Sequence, residues 1–197
     1  MSPKKLSEIA DIQSGLVLSR KEAALDSKNA FKYKRLNLRS INDDGSINAQ
    51  SLDDYYSSEK LEGQFITAEN DIIMRLFMPI CPVIISKEYE NIIVPSQLCT
   101  IRVNSSELLP AFLYHYLLQS SVRNSIELIE SGSAPRSIRV STLSDVEIPL
   151  IPLHRQEIIA ALGKTHINRK NLYFELIHQL DVQTDALIRK VIGGEVQ

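Results

Sequence analysis

The apolar positions of the chain follow two periods, and the change between them divides it. Up to Val103 they come as short runs and alternations. Leu6 to Gln13 reads as a short strand that ends at Ser14-Gly15, and Phe31 to Leu38 alternates apolar and polar as a half-buried strand does. Asn42-Asp43-Asp44-Gly45 is a turn signal, and the acidic, tyrosine-bearing stretch Ser51 to Glu62 reads as a loop with a short helix. Phe65 to Val103 is β-rich. Ile72 to Phe77 forms one strand, Pro82–Ser86 and Asn91–Val94 suggest a hairpin around Lys87-Glu88-Tyr89-Glu90, and Gln97 to Val103 is a further β-branched run. Arg75 interrupts an otherwise apolar strand, so its head either reaches the surface or has a task.

After that the period lengthens. Leu109, Phe112, Leu113, Tyr116 and Leu117 have helical spacing, with Pro110 tolerated in the first turn, and Val122, Ile126 and Ile129 continue or restart the helix up to Ser131-Gly132. Val146 to Ile148 is a last strand. Pro149 and Pro152 then enforce extended backbone, and from Leu153 no proline occurs before the stop at Gly193-Gly194. The predicted helix has about 38 residues and a length of roughly 57 Å. A heptad frame places Ile159, His166, Tyr173, Leu180 and Leu187 at a, and Leu162, Arg169, Leu176, Gln183 and Lys190 at d. Ile177 and Val191 widen this seam, while the half-polar d row and Gly163 weaken it, so the helix requires a partner helix. The expected architecture is α/β (α+β): one mixed domain over residues 1–151, followed by a long coiled-coil helix over 152–197.

Composition narrows the function classes. The chain has 197 residues, no apolar run near the ~18 residues of a membrane span, and no apolar core behind its N-terminus that would suggest secretion. Cys81 and Cys99 sit in apolar surroundings and read as buried thiols of a cytoplasmic protein. Net charge is −2, but unevenly spread: residues 1–40 carry nine Lys/Arg against four acids, and residues 41–70 carry seven acids against Lys60. Such a chain can present a basic face under a negative total, although solvated surface accounts for the same charges.

No catalytic constellation stands out. There is no glycine-rich phosphate loop and no Asn/Asp-Pro-Pro-aromatic methyltransferase motif. His115, His154, His166 and His178 lack close ligand spacing, and Asp43-Asp44 and Asp53-Asp54 read as acidic turns and loops, so neither metal nor cofactor is expected. What remains is binding chemistry. Arg20, Lys21, Arg75, Arg136 and Arg139, with Ser14, Ser133, Ser137 and Gln97, are residue types that contact phosphates and base edges, and they fall in or beside turns. Residue by residue, surface solubility is the better explanation; only their combination with the long helix favours binding.

Five ordered stretches carry a resemblance. Leu6 to Gly15 resembles an opening strand and glycine. Arg39 to Ile47 resembles an Asn-containing turn. Glu69-Asn70-Asp71-Ile72-Ile73 resembles Pro-Gly-Asp-Ile-Leu, with Glu69-Asn70 in place of Pro-Gly. Ser131-Gly132 with Ile138 comes fourth. The fifth, Ile148 to Ile159, resembles an end that usually reads Pro-Pro-Leu-x-Glu-Gln, here with Ile151 for the first Pro and Arg155 for the Glu. Together they resemble the DNA-specificity (S) subunit of bacterial type I restriction-modification enzymes, over about half of such a subunit. The family's usual subunit has two target-recognition domains and two paired long helices; this chain has one of each. The resemblance implies a non-catalytic subunit that binds double-stranded DNA, with contacts expected at Ser14, Arg20, Lys21, Arg75, Ser133, Arg136 and Arg139. It implies homodimer packing at Ile159, Leu162, Tyr173, Leu176, Leu180 and Leu187, and a bipartite inverted-repeat target. It also implies docking of methyltransferase (modification) subunits, which carry the S-adenosylmethionine chemistry, and through them the restriction subunit. The competing expectation is an assembly adaptor that pairs with another specificity or methyltransferase subunit and reads no bases.

Overall fold

The structure, a computed structural model, describes residues 2–24, 29–42, 44–130 and 137–193. Two compact units divide it, residues 1–157 and 158–197.

The first unit is built on β-structure. Ile72–Arg75 (β5) lies inside a four-stranded sheet of order β2-β8-β5-β6, with Ala10–Ser14 as β2, Pro82–Ile84 as β6 and Leu98–Val103 as β8. Ile72, Ile73 and Met74 are fully buried, which explains the near-continuous apolar run of β5. All pairings in this sheet are antiparallel, with Ile72 opposite Ile101 and Ser14 opposite Cys99. A second sheet has the order β4-β3-β7, with Phe31–Arg35 as β3, Asp53–Ser57 as β4 and Ile92–Ile93 as β7. Lys4–Lys5 (β1) pairs with Glu147–Ile148 (β9), so the start of the chain closes against the segment before the long helix. Leu36, Ile41, Ile73, Val83, Val94 and Leu98 belong to one buried cluster, and Leu16, Tyr55, Leu61 and Ile93 form another. Pro110–Leu117 (α1), Ser120–Glu130 (α2) and Val140–Ser144 (α3) complete the unit.

Several sequence expectations are corrected here. The stretch from Leu6 is not one strand: Leu6–Glu8 is a 3-10 turn between β1 and β2. Residues 82–94 do not form a hairpin, because β6 pairs with β5 and β7 pairs in parallel with β3, Arg35 facing Ile93. Ser51 to Glu62 is not a loop with a helix; it contains β4, whose acids face the bases of β3 across the ladder, Asp54 opposite Lys34 and Asp53 opposite Arg35. Opposite charges directly across a ladder stabilise an edge strand that propensity alone disfavours.

Two motif stretches find physical explanations. Asn70 has φ 69°, a left-handed conformation that Asn tolerates and that explains a Gly at the matching position of the family pattern. Next to it, Asp71 is buried, accepts the Ala68 N–H at 2.8 Å, and holds Arg102 in a fork, Nε–Oδ1 2.7 Å and Nη2–Oδ2 2.6 Å. Gly15 donates its N–H to the Leu98 carbonyl at 2.9 Å, and a Cβ placed there would lie 2.2 Å from the Val94 carbonyl oxygen and 2.4 Å from that of Pro95. Both obstacles are backbone. Gly15→Ala is therefore expected to cost about 3 kcal/mol, the upper range for overpacking, measured as a lowered urea midpoint at unchanged slope.

The second unit holds the remainder of Leu153–Ile192 (α4), a helix of 40 residues. Its large apolar side chains are open to solvent: Leu162, Tyr173, Leu176, Leu180 and Leu187 are each more than half exposed. Among the described residues no helix is long and apolar enough to cross a membrane. Cys81 and Cys99 are buried thiols, and burial pushes the Cys99 thiol up to about 12.

Candidate nucleic-acid interface

The antiparallel register brings three segments to one end of the four-stranded sheet. β2 ends there at Ser14, β8 begins there after Gln97, and β5 ends there at Arg75, which faces Leu98. Two hydrogen bonds add neighbouring segments: Leu76 N–H to the Gln97 carbonyl at 3.0 Å, and Ile138 N–H to the Leu76 carbonyl at 2.9 Å. A bridge between Phe77 and Ser137 fixes the chain that leads to Arg139. Ser14, Arg75, Gln97 and Ser137, far apart in sequence, thus share one end of the sheet; Ser14 and Gln97 are exposed.

Arg139 is anchored by a buried carboxylate. Glu130, at the end of α2, is 3 % exposed; its Oε1 accepts the Thr142 hydroxyl and, at 3.1 Å, the Arg139 backbone N–H. Its Oε2 lies 3.3 Å from Arg139 Nε. The Thr142 hydroxyl first, then the Arg139 N–H, hold the Glu130 carboxyl below the usual carboxylate range. The Arg139 side chain nevertheless remains 68 % exposed, so its fork can meet an outside partner. Ser133 and Arg136 lie outside the described residues.

Arg20 and Lys21 are placed elsewhere, beside β4. Tyr55 donates its hydroxyl to the Leu18 carbonyl at 2.7 Å, and the Lys21 carbonyl accepts Ser58 N–H at 2.8 Å. A cleft of about 590 Å3 opens there, lined by Leu18, Ser19, Glu22, Arg35 and Tyr56 among others. Arg20 is exposed, whereas the Lys21 ammonium is bound to Glu59.

The charge asymmetry along the chain is largely neutralised within the fold. Lys32 and Lys34 both pair with Asp54, at 3.2 and 2.8 Å, Arg35 with Asp53 at 2.9 Å, Lys21 with Glu59, and Lys4 and Lys5 with Glu107 and Asp145. The basic stretch and the acidic stretch meet across β3 and β4, so neither forms a one-sign face there. Arg20 and Arg39 form no such pair with the described residues.

Arg75 does not stand clear of the fold. One of its terminal nitrogens donates to the Leu38 carbonyl at 3.1 Å and also to the Ile41 carbonyl. Leu38 opens the turn Leu38–Ser40 and Ile41 follows it directly; Asn37 caps this turn by accepting the Arg39 and Ser40 N–H groups at 2.9 Å each. The Asn37-x-x-Ser40 spacing is a capping pattern readable from sequence, but it drew no expectation there.

Gln156 likewise had no predicted role. It is fully buried in the first turns of α4, where its Nε2 donates to the Glu107 carbonyl at 2.7 Å and the Ile151 carbonyl at 2.8 Å, and its Oε1 accepts Leu109 N–H at 2.8 Å. Among the described residues no group of three or more His, Cys, Asp or Glu could hold a metal ion.

Comparison with known proteins places this architecture. The family model described as type I restriction modification DNA specificity domain matches residues 1–180. No curated protein matches the chain. Among solved structures, the HsdS subunit from Thermoanaerobacter tengcongensis is 18 % identical with a TM-score of 0.67, over 94 % of this chain and 46 % of that one. The S subunit of a type I restriction-modification system from M. genitalium is 20 % identical with a TM-score of 0.60, over 96 % and 45 %. A chain from a study of complex assembly and conformational transition of the type I system is 16 % identical with a TM-score of 0.70, over 99 % and 49 %. These likenesses establish the fold, a mixed α/β domain followed by a long C-terminal helix. The chain spans just under half the length of each of those proteins.

Proposed function

The chain belongs to the type I restriction modification DNA specificity domain family, and on that premise we propose that it is the sequence-reading, non-catalytic subunit of such a system. The unit 1–157 reads double-stranded DNA from the sheet end that carries Ser14 and Arg139, with Ser133 and Arg136 in the segment before Arg139 and with Arg20 and Lys21 beside β4. The helix 158–192 pairs with that of a second copy through Ile159, Leu162, Tyr173, Leu176, Leu180 and Leu187. Two-fold pairing presents two identical readers, so the target is a bipartite inverted repeat with a spacer set by the helix. The paired helices dock methyltransferase subunits and, through them, the restriction subunit, in the cytoplasm.

The convergence of β2, β8, β5 and the 137–139 segment at one end of the sheet carries this reading. It gathers exposed Ser14, Gln97 and the 68 % exposed Arg139 side chain in a fold of this family. Polar and arginine side chains on a rigid scaffold are what groove readout needs.

The test is selection of duplexes from a random-sequence library by the full-length protein. The expected product is one short sequence present twice in inverted orientation with constant spacing. Arg139→Ala is expected to weaken binding of that duplex by about 10-fold or more, the size of one lost specific contact. A flat sequence preference would instead identify a non-reading adaptor.

A further inference from the structure

We propose that Arg39 reads a base edge in the target DNA, and that Arg75 is its positioning residue. This rests on the DNA-reading function above but adds a reader that the expected contact residues do not include, although Arg39 opens the second of the five motif stretches.

The first argument is selection among the basic residues. Of the nine Lys/Arg in residues 1–40, Lys4, Lys5, Lys21, Lys32, Lys34 and Arg35 are ion-paired. Lys28 lies outside the described residues, and of the remaining two, Arg20 and Arg39, neither pairs with a described carboxylate; Arg20 is already among the expected contacts. Arg39 is exposed, and its guanidinium forms no hydrogen bond or ion pair with the described residues. A cation left without a carboxylate, in a fold that pairs most of its neighbours, retains its full capacity for an anionic or acceptor-rich ligand.

The second argument is the construction under it. The carbonyls of Leu38 and Ile41, which flank Arg39, both accept from Arg75. Asn37 Oδ1 caps the N–H groups of Arg39 and Ser40, and Ser40 Oγ accepts Asn37 N–H at 2.9 Å. Asn37 is in turn held through its Nδ2 by the Ser51 carbonyl at 2.6 Å and by Asp53 Oδ2 at 3.0 Å. The backbone on both sides of Arg39 is therefore fixed from three directions. A phosphate contact tolerates a mobile cation, whereas a bidentate contact to guanine O6 and N7 needs placement within about 0.5 Å. Because Arg75 also belongs to the sheet end that carries Ser14, the turn is tied to the same end of the sheet. Leu38, beside Arg39 in sequence, exposes 43 % of its surface, an apolar neighbour suited to a thymine methyl group.

The experiment uses the full-length protein and the duplex that the wild type selects from a random-sequence library. Arg39→Ala should weaken that duplex by about 10- to 100-fold and relax preference at one base pair in each half-site. Arg39→Lys should not restore the preference, since an ammonium lacks the fork. Arg75→Met should relax the same base pair, and should add nothing to DNA binding in the Arg39→Ala background; melting curves report whether it folds, and if it does not, the Arg39 variants decide alone. Binding by Arg39→Ala within twofold of wild type overturns the proposal while leaving the DNA-reading function intact. A uniform loss on all sequences, with a salt slope smaller by about one, also overturns it, because that is a phosphate contact. A wild type that selects no sequence overturns the reading it rests on, and the proposal with it.

Discussion

Leu180→Asp is expected to convert the protein from a dimer into a monomer, read by light scattering as a fall to the 22.2 kDa of one chain. Leu180 is 52 % exposed on α4, and Leu162, Leu176 and Leu187 fall on the same side of the helix at 65, 51 and 58 %. Burying a leucine is worth about 1.5–3 kcal/mol, and the symmetric exchange removes two of them. Two carboxylates then enter an apolar seam without partners, which adds desolvation cost. Together these weaken dimerisation on the order of 1000-fold or more. The variant should retain its helix content and the fold of residues 1–157, because Leu180 belongs to the other compact unit. Should the wild type already be monomeric at micromolar concentration, the two-fold reading fails, and the exposed stripe must pair with a different chain.

What the sequence could and could not reveal follows the distance over which each interaction acts. The long helix was legible because its signals are local: two prolines before it, none within it, and glycines after it. The β5 strand was legible because a strand buried on both faces is apolar throughout. β7 was misread because its partner, β3, lies some sixty positions earlier, and a two-residue strand carries no period of its own. β4 was misread because Asp53-Asp54 disfavours a strand until Lys34 and Arg35 stand opposite. That same pairing explains why the run of basic residues near the N-terminus does not by itself mark a basic face: charges sum along a sequence but cancel in space. The expected contacts divide accordingly. Arg139 keeps an exposed fork while its root is held by Glu130, whereas the Lys21 ammonium is taken up by Glu59 and Arg75 donates to backbone carbonyls. Separating a cation that supports a loop from one that a loop displays requires the loop's hydrogen bonds, which a sequence does not contain.

Gln156→Glu should be the more damaging of two changes at the motif that ends the first unit, with Gln156→Leu close behind. The site asks one side chain to donate twice, to the Glu107 and Ile151 carbonyls, and to accept once, from Leu109 N–H. Only a carboxamide does both. Leucine leaves one donor and two acceptors without partners, a loss of about 2–4 kcal/mol in which partial access of water to the carbonyls limits the cost. Glutamate at neutral pH keeps the Leu109 bond but turns a negative oxygen toward two carbonyls in a fully buried site, so the expected loss is about 3–5 kcal/mol. The two variants also separate by pH. Burial against carbonyls raises the pKa of the introduced carboxyl, because its protonated form regains one donor. Its destabilisation is therefore full at neutral pH and shrinks as pH falls through that raised value, whereas the leucine variant has no group that titrates there. Urea denaturation of both at pH 7 and pH 5 reads this directly. Losses below about 1 kcal/mol in both would mean that the buried amide does not hold the start of the long helix, and that the glutamine of the motif has another reason to be there.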